Sequence, residues 1–168
     1  MTYILRSALS VAAAALLASQ AVAWEVEKTS DPFTDQEAVT ASHITPNGNG
    51  PFSTIAIVDC DLSNGQFSFA LDVGIVINTN DRLFPFTFRV DKNTPQRVAM
   101  SRVRSNPNLG AFAGDVAIDL AKQMASGQKL VYRIEDEVLN TFEQGEVSLA
   151  NSAGAIGEVL RSCGVADG

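Results

Sequence analysis

The stretch that decides the fold is residues 54–73, TIAIVDCDLSNGQFSFALDV. Two apolar-rich runs flank Asn64-Gly65, a strong signal for a β-hairpin with a two-residue turn, because both turn residues tolerate positive φ. This turn predicts that Leu62 pairs with Phe67 and that Cys60 pairs with Phe69. Since side chains alternate along a strand, one face of the hairpin is predicted to be buried. The predicted core face consists of Ala56, Val58, Cys60, Leu62, Phe67, Phe69, Leu71 and Val73.

The opposite face of this hairpin carries Asp59, Asp61, Ser68 and Asp72. Carboxylates at this density are compatible with a calcium site. They lie on regular strands, however, whereas calcium sites prefer loops that wrap around the ion. We therefore interpret this face as a charged, solvated sheet surface, which also discourages association between sheet edges.

The N-terminus has the pattern of a Sec signal peptide. Arg6 precedes an alanine-rich apolar run over residues 8–18, and Ala21-Val22-Ala23 provides a small-x-small cleavage site. The alternative is a membrane anchor, but the apolar run is shorter than the ~20 residues that a span requires. We expect residues 1–23 to be removed, so that a single domain of residues 24–168 begins at Trp24 in the periplasm without membrane insertion.

The formal net charge of −7 limits the classes of partner. An acidic protein repels nucleic acid phosphates and anionic membrane surfaces, so neither is an expected partner. The charge is compatible with a cationic protein partner in the periplasm. No sequence pattern indicates a cofactor.

Cys60 and Cys163 are the two cysteines of the chain. An even cysteine count in an exported protein predicts a disulfide, here between the central hairpin and the last helix. The alternatives have less support, because the spacing forms no CxxC redox motif and a structural zinc site requires four ligands.

The remaining chain predicts further strands and two helices. Strands are expected over residues 24–28, 37–44, 84–90, 96–103, 129–134 and 142–149, with Pro85 at a strand start or on an edge. Loops or turns are expected over residues 30–35, 46–51, 78–81 and 91–95.

A period of about four residues, carried by Val116, Leu120 and Met124, predicts a helix that Gly127 caps. Ser152 is expected to cap a second helix that ends at Gly164. The predicted fold class is α+β, an antiparallel β sheet or small sandwich with two helices in the C-terminal half and one disulfide.

Candidate catalytic groups are few. His43 is the only histidine and is predicted to be an exposed residue near a strand end; a role as general base would require a neighbouring nucleophile, and the sequence has no GxSxG or SxxK motif. Asp31, Asp35 and Glu37 are conceivable acid and base partners, but glycosidase carboxylates lie in a cleft that nothing in the sequence indicates. We therefore expect no catalytic residues, no metal ligands and no enzymatic activity.

Five of the twelve lysine and arginine residues fall within one predicted strand pair. They are Arg82, Arg89, Arg97, Arg102 and Arg104. Arg89 is predicted to face outward, as Asp72 does, which gives either weak cross-strand ion pairs or a patch that binds anions. We predict that Asp59, Asp61, Asp72 and Arg89 form an interaction face suited to a polar, electrostatically steered contact.

Several landmarks occur in an order that resembles a known family. They are Trp24-Glu25-Val26, Asp31-Pro32-Phe33-Thr34-Asp35, Val58-Asp59-Cys60, Phe86-Thr87-Phe88-Arg89-Val90-Asp91, Gln128-Lys129-Leu130-Val131-Tyr132-Arg133 and Val159-Leu160-Arg161-Ser162-Cys163-Gly164. Over nearly the whole mature chain this order resembles the periplasmic accessory family associated with type VI secretion (TagO/VasI-like) and related exported domains. The strand over residues 96–104 departs from that pattern because it lacks a tryptophan. The resemblance implies a periplasmic, β-rich accessory domain with one disulfide and no catalytic residues.

Three functional hypotheses follow. The first is a non-enzymatic periplasmic interaction module, associated with a type VI secretion system. The second is a periplasmic protein similar to lysozyme inhibitors, because acidity suits a cationic lysozyme and residues 126–132, SGQKLVY, faintly resemble an inhibitor loop. The third is an exported hydrolase, for which no motif argues.

Overall fold

The structure is a computed structural model that describes residues 23–46, 53–74, 83–136 and 141–165. The predicted signal peptide as far as residue 22, most of the predicted loop over residues 46–51 and the predicted turn over residues 78–81 lie outside the described residues. Among the described residues, no helix is both long and apolar enough to cross a membrane.

The described residues form nine strands and two helices. The strands are β1 (Glu25–Ser30), β2 (Glu37–Pro46), β3 (Ser53–Asp61), β4 (Gln66–Asp72), β5 (Leu83–Val90), β6 (Gln96–Arg102), β7 (Leu109–Ala113), β8 (Lys129–Asp136) and β9 (Thr141–Ser148). The helices are α1 (Asp115–Ser126) and α2 (Ser152–Ser162). The strands pair antiparallel in one sheet with the order β1-β2-β3-β4-β7-β6-β5-β8-β9. This architecture confirms the predicted α+β fold class.

The sheet is strongly curved, so that its two ends approach each other. Strand β9 contacts β2 and β3, and the Trp24 indole Nε1 donates a hydrogen bond to the Ser148 carbonyl at 3.3 Å. The hydroxyls of Thr54 on β3 and Tyr132 on β8 lie 2.9 Å apart inside the sheet. The concave inner face therefore encloses the core, with α1 packed against β4, β5 and β7 and α2 against β1, β2 and β3.

The central hairpin forms with the predicted faces but in a different register. Cys60 pairs with Phe67 rather than Phe69, and the turn spans four residues, Leu62 to Gly65. The Asp61 carboxylate stabilises this wider turn because it accepts hydrogen bonds from the Ser63 backbone N–H and the Asn64 side-chain amide. A two-residue shift leaves every strand residue on its predicted face, since side chains alternate with a period of two. Leu62 is the exception, because it lies in the turn and is 37% exposed.

The disulfide between Cys60 and Cys163 is present, with the two Cα atoms 5.7 Å apart. Cys60 is fully buried on β3, and Cys163 follows the last turn of α2. Ile156, Val159 and Leu160 of α2 are buried in the same core. The disulfide thus fixes the C-terminal helix to the hairpin that organises the sheet.

Strand β7 was missed by the sequence analysis, although it joins the two halves of the sheet through its pairs with β4 and β6. Gly110 packs so tightly that a Cβ there would lie 2.5 Å from the Met100 sulfur and 2.6 Å from Phe84. The Phe112 ring stacks on Phe88 and packs at a tilt against Phe69. The five residues of β7 show no clear hydrophobic alternation, and most of the pairing of the strand is with β4, which is distant in sequence.

The helices form near their predicted positions, with three corrections. Val116 is 39% exposed rather than buried, and Ala117, Leu120 and Met124 supply the core face of α1. Gly127 follows α1 in an extended conformation, where a Cβ would lie 2.2 Å from a Val90 methyl group, so close packing rather than a left-handed cap requires glycine.

Ser152 is not the cap of α2. Asn151 occupies the N-cap position in the left-handed conformation, and the buried Ser152 hydroxyl donates a hydrogen bond to the Met124 carbonyl of α1 at 2.8 Å. Ser152 therefore joins the two helices. Gly164, with φ of 71°, terminates α2 as predicted.

Candidate functional site

The convex outer face of the sheet carries a shallow depression over β3, β4, β6 and β7. Its volume is about 410 Å³, and its lining consists of Asp59, Asp61, Gln66, Ser68, Ser101, Ala111, Phe112 and Ala113. The small side chains of β7 form its floor and leave room for a ligand group, while hydroxyl, amide and carboxylate groups surround it. The structure therefore places two of the four predicted interaction residues, Asp59 and Asp61, in one concave site.

The two carboxylates of this depression have different environments. Asp59 is half-buried and accepts a 2.7 Å hydrogen bond from the Thr40 hydroxyl of the neighbouring strand. Asp61 accepts bonds from the Ser63 hydroxyl, the Ser63 backbone N–H and the Asn64 amide, and these bonds lower the pKa of its carboxyl group. Because Asp61 also organises the hairpin turn, it contributes both negative charge and local rigidity to the depression.

The other two predicted residues lie elsewhere on the outer face. Asp72 is at the opposite end of the hairpin, where it accepts hydrogen bonds from the Gly74 backbone N–H at 2.8 Å and the Asn106 side-chain amide at 2.9 Å. Arg89 is on β5, which β7 and β6 separate from the strand of Asp72. The four residues thus share a face without converging on one point.

Arg89 instead borders a second depression of about 290 Å³. Its lining consists of Thr87, Phe88, Arg89, Pro95, Val131, Tyr132, Arg133 and Gln144. The outer face therefore has an acidic side over β3 and a basic side over β5 and β8.

The other arginines of the predicted strand pair do not form one anion site with Arg89. Arg97 makes a 2.9 Å ion pair with Glu135, and Arg104 is exposed in the turn after β6. Arg102 is half-buried at the end of β6, and Arg82 lies outside the described residues. The ion pair of Arg97 supports the interpretation of this region as a solvated, mixed-charge surface.

His43 is buried, so the prediction of an exposed histidine was wrong. The residue is 5% exposed, and its ring stacks on Trp24 with the ring centroids 5.3 Å apart. Burial lowers the pKa of the imidazole, and a hydrogen bond to the Ala23 backbone opposes this effect. The burial of His43 is not evident from local sequence because Trp24 precedes β1 and His43 lies on β2, and only the pairing of these strands brings the two rings together.

The acidic residues Asp31, Asp35 and Glu37 lie in and beside the turn that joins β1 to β2. Asp31 accepts hydrogen bonds from the backbone N–H groups of Phe33 and Thr34, and Asp35 adopts φ of 53°. All three residues are exposed, and Asp31 and Asp35 shape the turn.

No group of three or more histidine, cysteine, aspartate or glutamate side chains able to hold a metal ion occurs among the residues that the structure describes. The predicted alternative of a calcium site would require Asp59, Asp61 and Asp72 to converge. Asp72 instead lies at the far end of β4 and binds Gly74 and Asn106.

The segment with the faint inhibitor-loop resemblance is a tightly held junction between α1 and β8. The Asp91 carboxylate accepts hydrogen bonds from the backbone N–H groups of Gln128 and Lys129. Gly127 packs against Val90, and Tyr132 is buried inside the sheet. Ser126, Gln128 and Lys129 are exposed, whereas the tyrosine on which the resemblance rests is buried and does not face a partner.

Comparisons with known proteins give a relationship at the level of the fold. The sequence matches no protein-family model and no curated protein sequence. The crystal structure of invasion associated protein B from Bartonella henselae superposes with a TM-score of 0.58 and 12% sequence identity, over 83% of this chain and 93% of that one. At this identity the likeness shows that the two chains share a fold.

Proposed function

We propose that this protein is an exported accessory module that binds a protein partner through the outer face of its sheet and performs no chemistry on it. The observation that carries the proposal is the open depression beside Asp59, Asp61 and Ser68. Its polar border and small-residue floor suit a partner that inserts a polar or cationic side chain.

The distribution of core residues supports the outer face as the binding surface. The inner face is filled by the buried hairpin residues, the aromatic side chains of β5 and the disulfide. The helices cover this inner face and leave the outer face of the central strands open to a partner. Polar rims of this kind favour association that is steered by charge and weakened by salt.

The burial of His43 supports binding without turnover. A general base must lie within hydrogen-bonding reach of the proton that it removes. The ring of His43 is packed against Trp24, and burial favours its neutral form. This environment gives the imidazole a structural role at the start of the sheet.

The proposal includes export to the periplasm after cleavage between Ala23 and Trp24. A disulfide persists in an oxidising compartment, which the periplasm provides. Association with a type VI secretion system rests on the resemblance of the sequence landmarks, while a structural relative bears the name invasion associated protein B. Cell fractionation tests the location, and a cytoplasmic product would contradict export. The identity of the neighbouring genes tests the link to secretion, and a locus without secretion genes would contradict it.

Recovery of partners from periplasmic extract tests the outer face. Ser68→Arg places a bulky cation in the depression without removing a core or turn residue, and Arg89→Glu reverses the charge of the second depression. Ser105→Arg, in an exposed turn, is the matched control. The proposal predicts that Ser68→Arg loses partners that the wild type and the control retain. Equal recovery by all variants would contradict it.

A lysozyme inhibition assay with a c-type lysozyme distinguishes the proposed accessory module from the alternative, a lysozyme inhibitor. The junction after α1 is held by Asp91 and its tyrosine is buried, which argues against an inhibitor loop in this segment. The proposal predicts no inhibition at micromolar protein. Stoichiometric inhibition would replace the accessory assignment with an inhibitor.

A further inference from the structure

Phe33 is exposed to an unusual degree at the tip of the hairpin formed by β1 and β2. Its side chain is 95% exposed, compared with 57% for both Leu83 and Phe142. Such exposure of an aromatic ring costs free energy in water unless the ring is buried against something else. Large aromatic side chains are also the residues that most often dominate protein interfaces.

The turn that presents Phe33 is held by its own hydrogen bonds. The Asp31 carboxylate accepts a 2.7 Å bond from the Phe33 backbone N–H, and the Asp35 N–H donates to the Asp31 carbonyl at 2.9 Å. The Asp31 N–H in turn donates to the Gln36 carbonyl at 2.8 Å. Because the backbone is ordered in advance, binding through Phe33 requires little further loss of conformational entropy.

The neighbouring turn between β3 and β4 is joined to this tip and carries a second, partly exposed apolar side chain. The Leu62 N–H donates a 2.8 Å hydrogen bond to the Glu37 carbonyl, which joins the two turns. Leu62 is itself 37% exposed. We call the turn over residues 31–37 together with Leu62 the Phe33 tip.

The charge around the Phe33 tip has a single sign. Asp31, Asp35, Glu37 and Asp61 carry carboxylates, and neither residues 30–37 nor residues 61–66 include a lysine or arginine. The hydrogen bonds to Asp61 lower the pKa of its carboxyl group and so favour its charged form. An anionic bilayer would be repelled by these carboxylates, whereas a basic protein surface would be attracted.

We propose that the Phe33 tip is a docking anchor that inserts the phenyl ring into an apolar pocket bordered by lysine or arginine on a protein partner. The ring supplies the buried contact area, and the surrounding carboxylates steer the approach and exclude acidic competitors. The inference goes beyond the proposed outer-face site, since it assigns a different contact residue and a defined partner chemistry.

Site-specific photocrosslinking tests this anchor. The probe is p-benzoylphenylalanine at position 33 of the full chain, produced in the cells that carry the gene, with the same probe at Phe142 as the matched control. The structure predicts an adduct with one basic protein from position 33 and no such adduct from position 142. Absence of an adduct specific to position 33, or an adduct with an acidic protein, would overturn the inference.

Affinity measurements with the crosslinked protein, once purified, complete the test. Phe33→Ala is expected to weaken binding by about tenfold or more, and Phe142→Ala by less than about twofold. Phe33→Ala should keep the melting temperature of the wild type, so that lost binding does not reflect unfolding. Asp35→Asn combined with Glu37→Gln should flatten the dependence of affinity on salt.

Two further results would contradict the anchor. Equal affinity of Phe33→Ala and wild type would show that the ring makes no energetic contact. Binding to anionic phospholipid vesicles that disappears in Phe33→Ala would replace the protein partner with a membrane. Ser68→Arg in the same assay keeps the two sites distinguishable, because it tests the outer-face depression while leaving the Phe33 tip unchanged.

Discussion

Loss of the disulfide should remove a large and calculable part of the stability. The bond joins residues 103 positions apart, and the chain-entropy relation assigns about 4.7 kcal/mol to a closed loop of this size. Domains of this kind typically have only about 5–15 kcal/mol of unfolding free energy. We therefore expect Cys163→Ser to lower the unfolding free energy by about 4–5 kcal/mol and the melting temperature by roughly 10–20 °C.

The two cysteines should not be equivalent in this experiment. Cys163→Ser removes a partly buried sulfur at the end of α2 and leaves the Cys60 thiol in the core, where it packs as a small apolar group. Cys60→Ser places a hydroxyl at a fully buried position among apolar neighbours. That hydroxyl should cost a further ~1–3 kcal/mol unless it finds a hydrogen-bond partner.

Urea denaturation of the oxidised wild type, the reduced wild type and the two variants measures both effects. The expected order of stability is oxidised wild type, then Cys163→Ser, then Cys60→Ser, with reduced wild type close to Cys163→Ser. A change of less than about 1 kcal/mol for Cys163→Ser would refute the entropic argument. Equal stability of the two serine variants would refute the distinction between the fully buried Cys60 and the partly buried Cys163.

Three further predictions concern packing, pH and processing. Gly145→Ala should lower the unfolding free energy by about 1–3 kcal/mol in the same denaturation assay, because a Cβ there would lie 2.5 Å from the Tyr132 hydroxyl. Gly154→Ala in α2, where a Cβ would meet nothing within 4 Å, should raise it by ~0.5–1 kcal/mol. The unfolding free energy should fall as the pH drops below about 6.5, because burial lowers the pKa of His43 in the folded state and the unfolded chain therefore binds the proton first. His43→Gln should reduce this dependence of the unfolding free energy on pH, and an unchanged dependence would exclude His43 as its origin. N-terminal sequencing of the exported protein should begin at Trp24, and detection of an intact residue 1 would contradict cleavage.

Much of the fold could be predicted because hydrophobic alternation and turn residues are visible within short stretches of sequence. The alternation in residues 54–73 identified the hairpin and its buried face, and the cysteine pair identified the contact between hairpin and last helix. The hairpin register was wrong because Asn64-Gly65 signals a turn without fixing its length, and the Asp61 carboxylate stabilises a four-residue turn. Strand β7 was missed because it is short and most of its pairing is with β4, which is distant in sequence.

The candidate site was less predictable than the fold. Asp59 and Asp61 were identified from their position opposite the core face, but Ser68, Ser101 and Ala111 come from three strands whose order the sequence does not reveal. Asp72 and Arg89 were assigned to the correct face, and only the strand order shows how far apart they lie. Phe33 had a local signal, because it is an aromatic residue in an acidic turn after Asp31-Pro32. That segment was interpreted only as a turn, and the exposure of the ring was not predicted.

Carboxyl footprinting of the complex with the partner recovered by the wild-type protein tests the outer-face proposal most directly. Carbodiimide labelling followed by mass spectrometry reports the accessibility of individual carboxylates, with Asp119 on the exposed side of α1 as the internal control. We expect labelling of Asp59 and Asp61 to fall in the complex while labelling of Asp119 is unchanged. Equal labelling of Asp59 and Asp61 in the free and bound protein would contradict binding at the outer face.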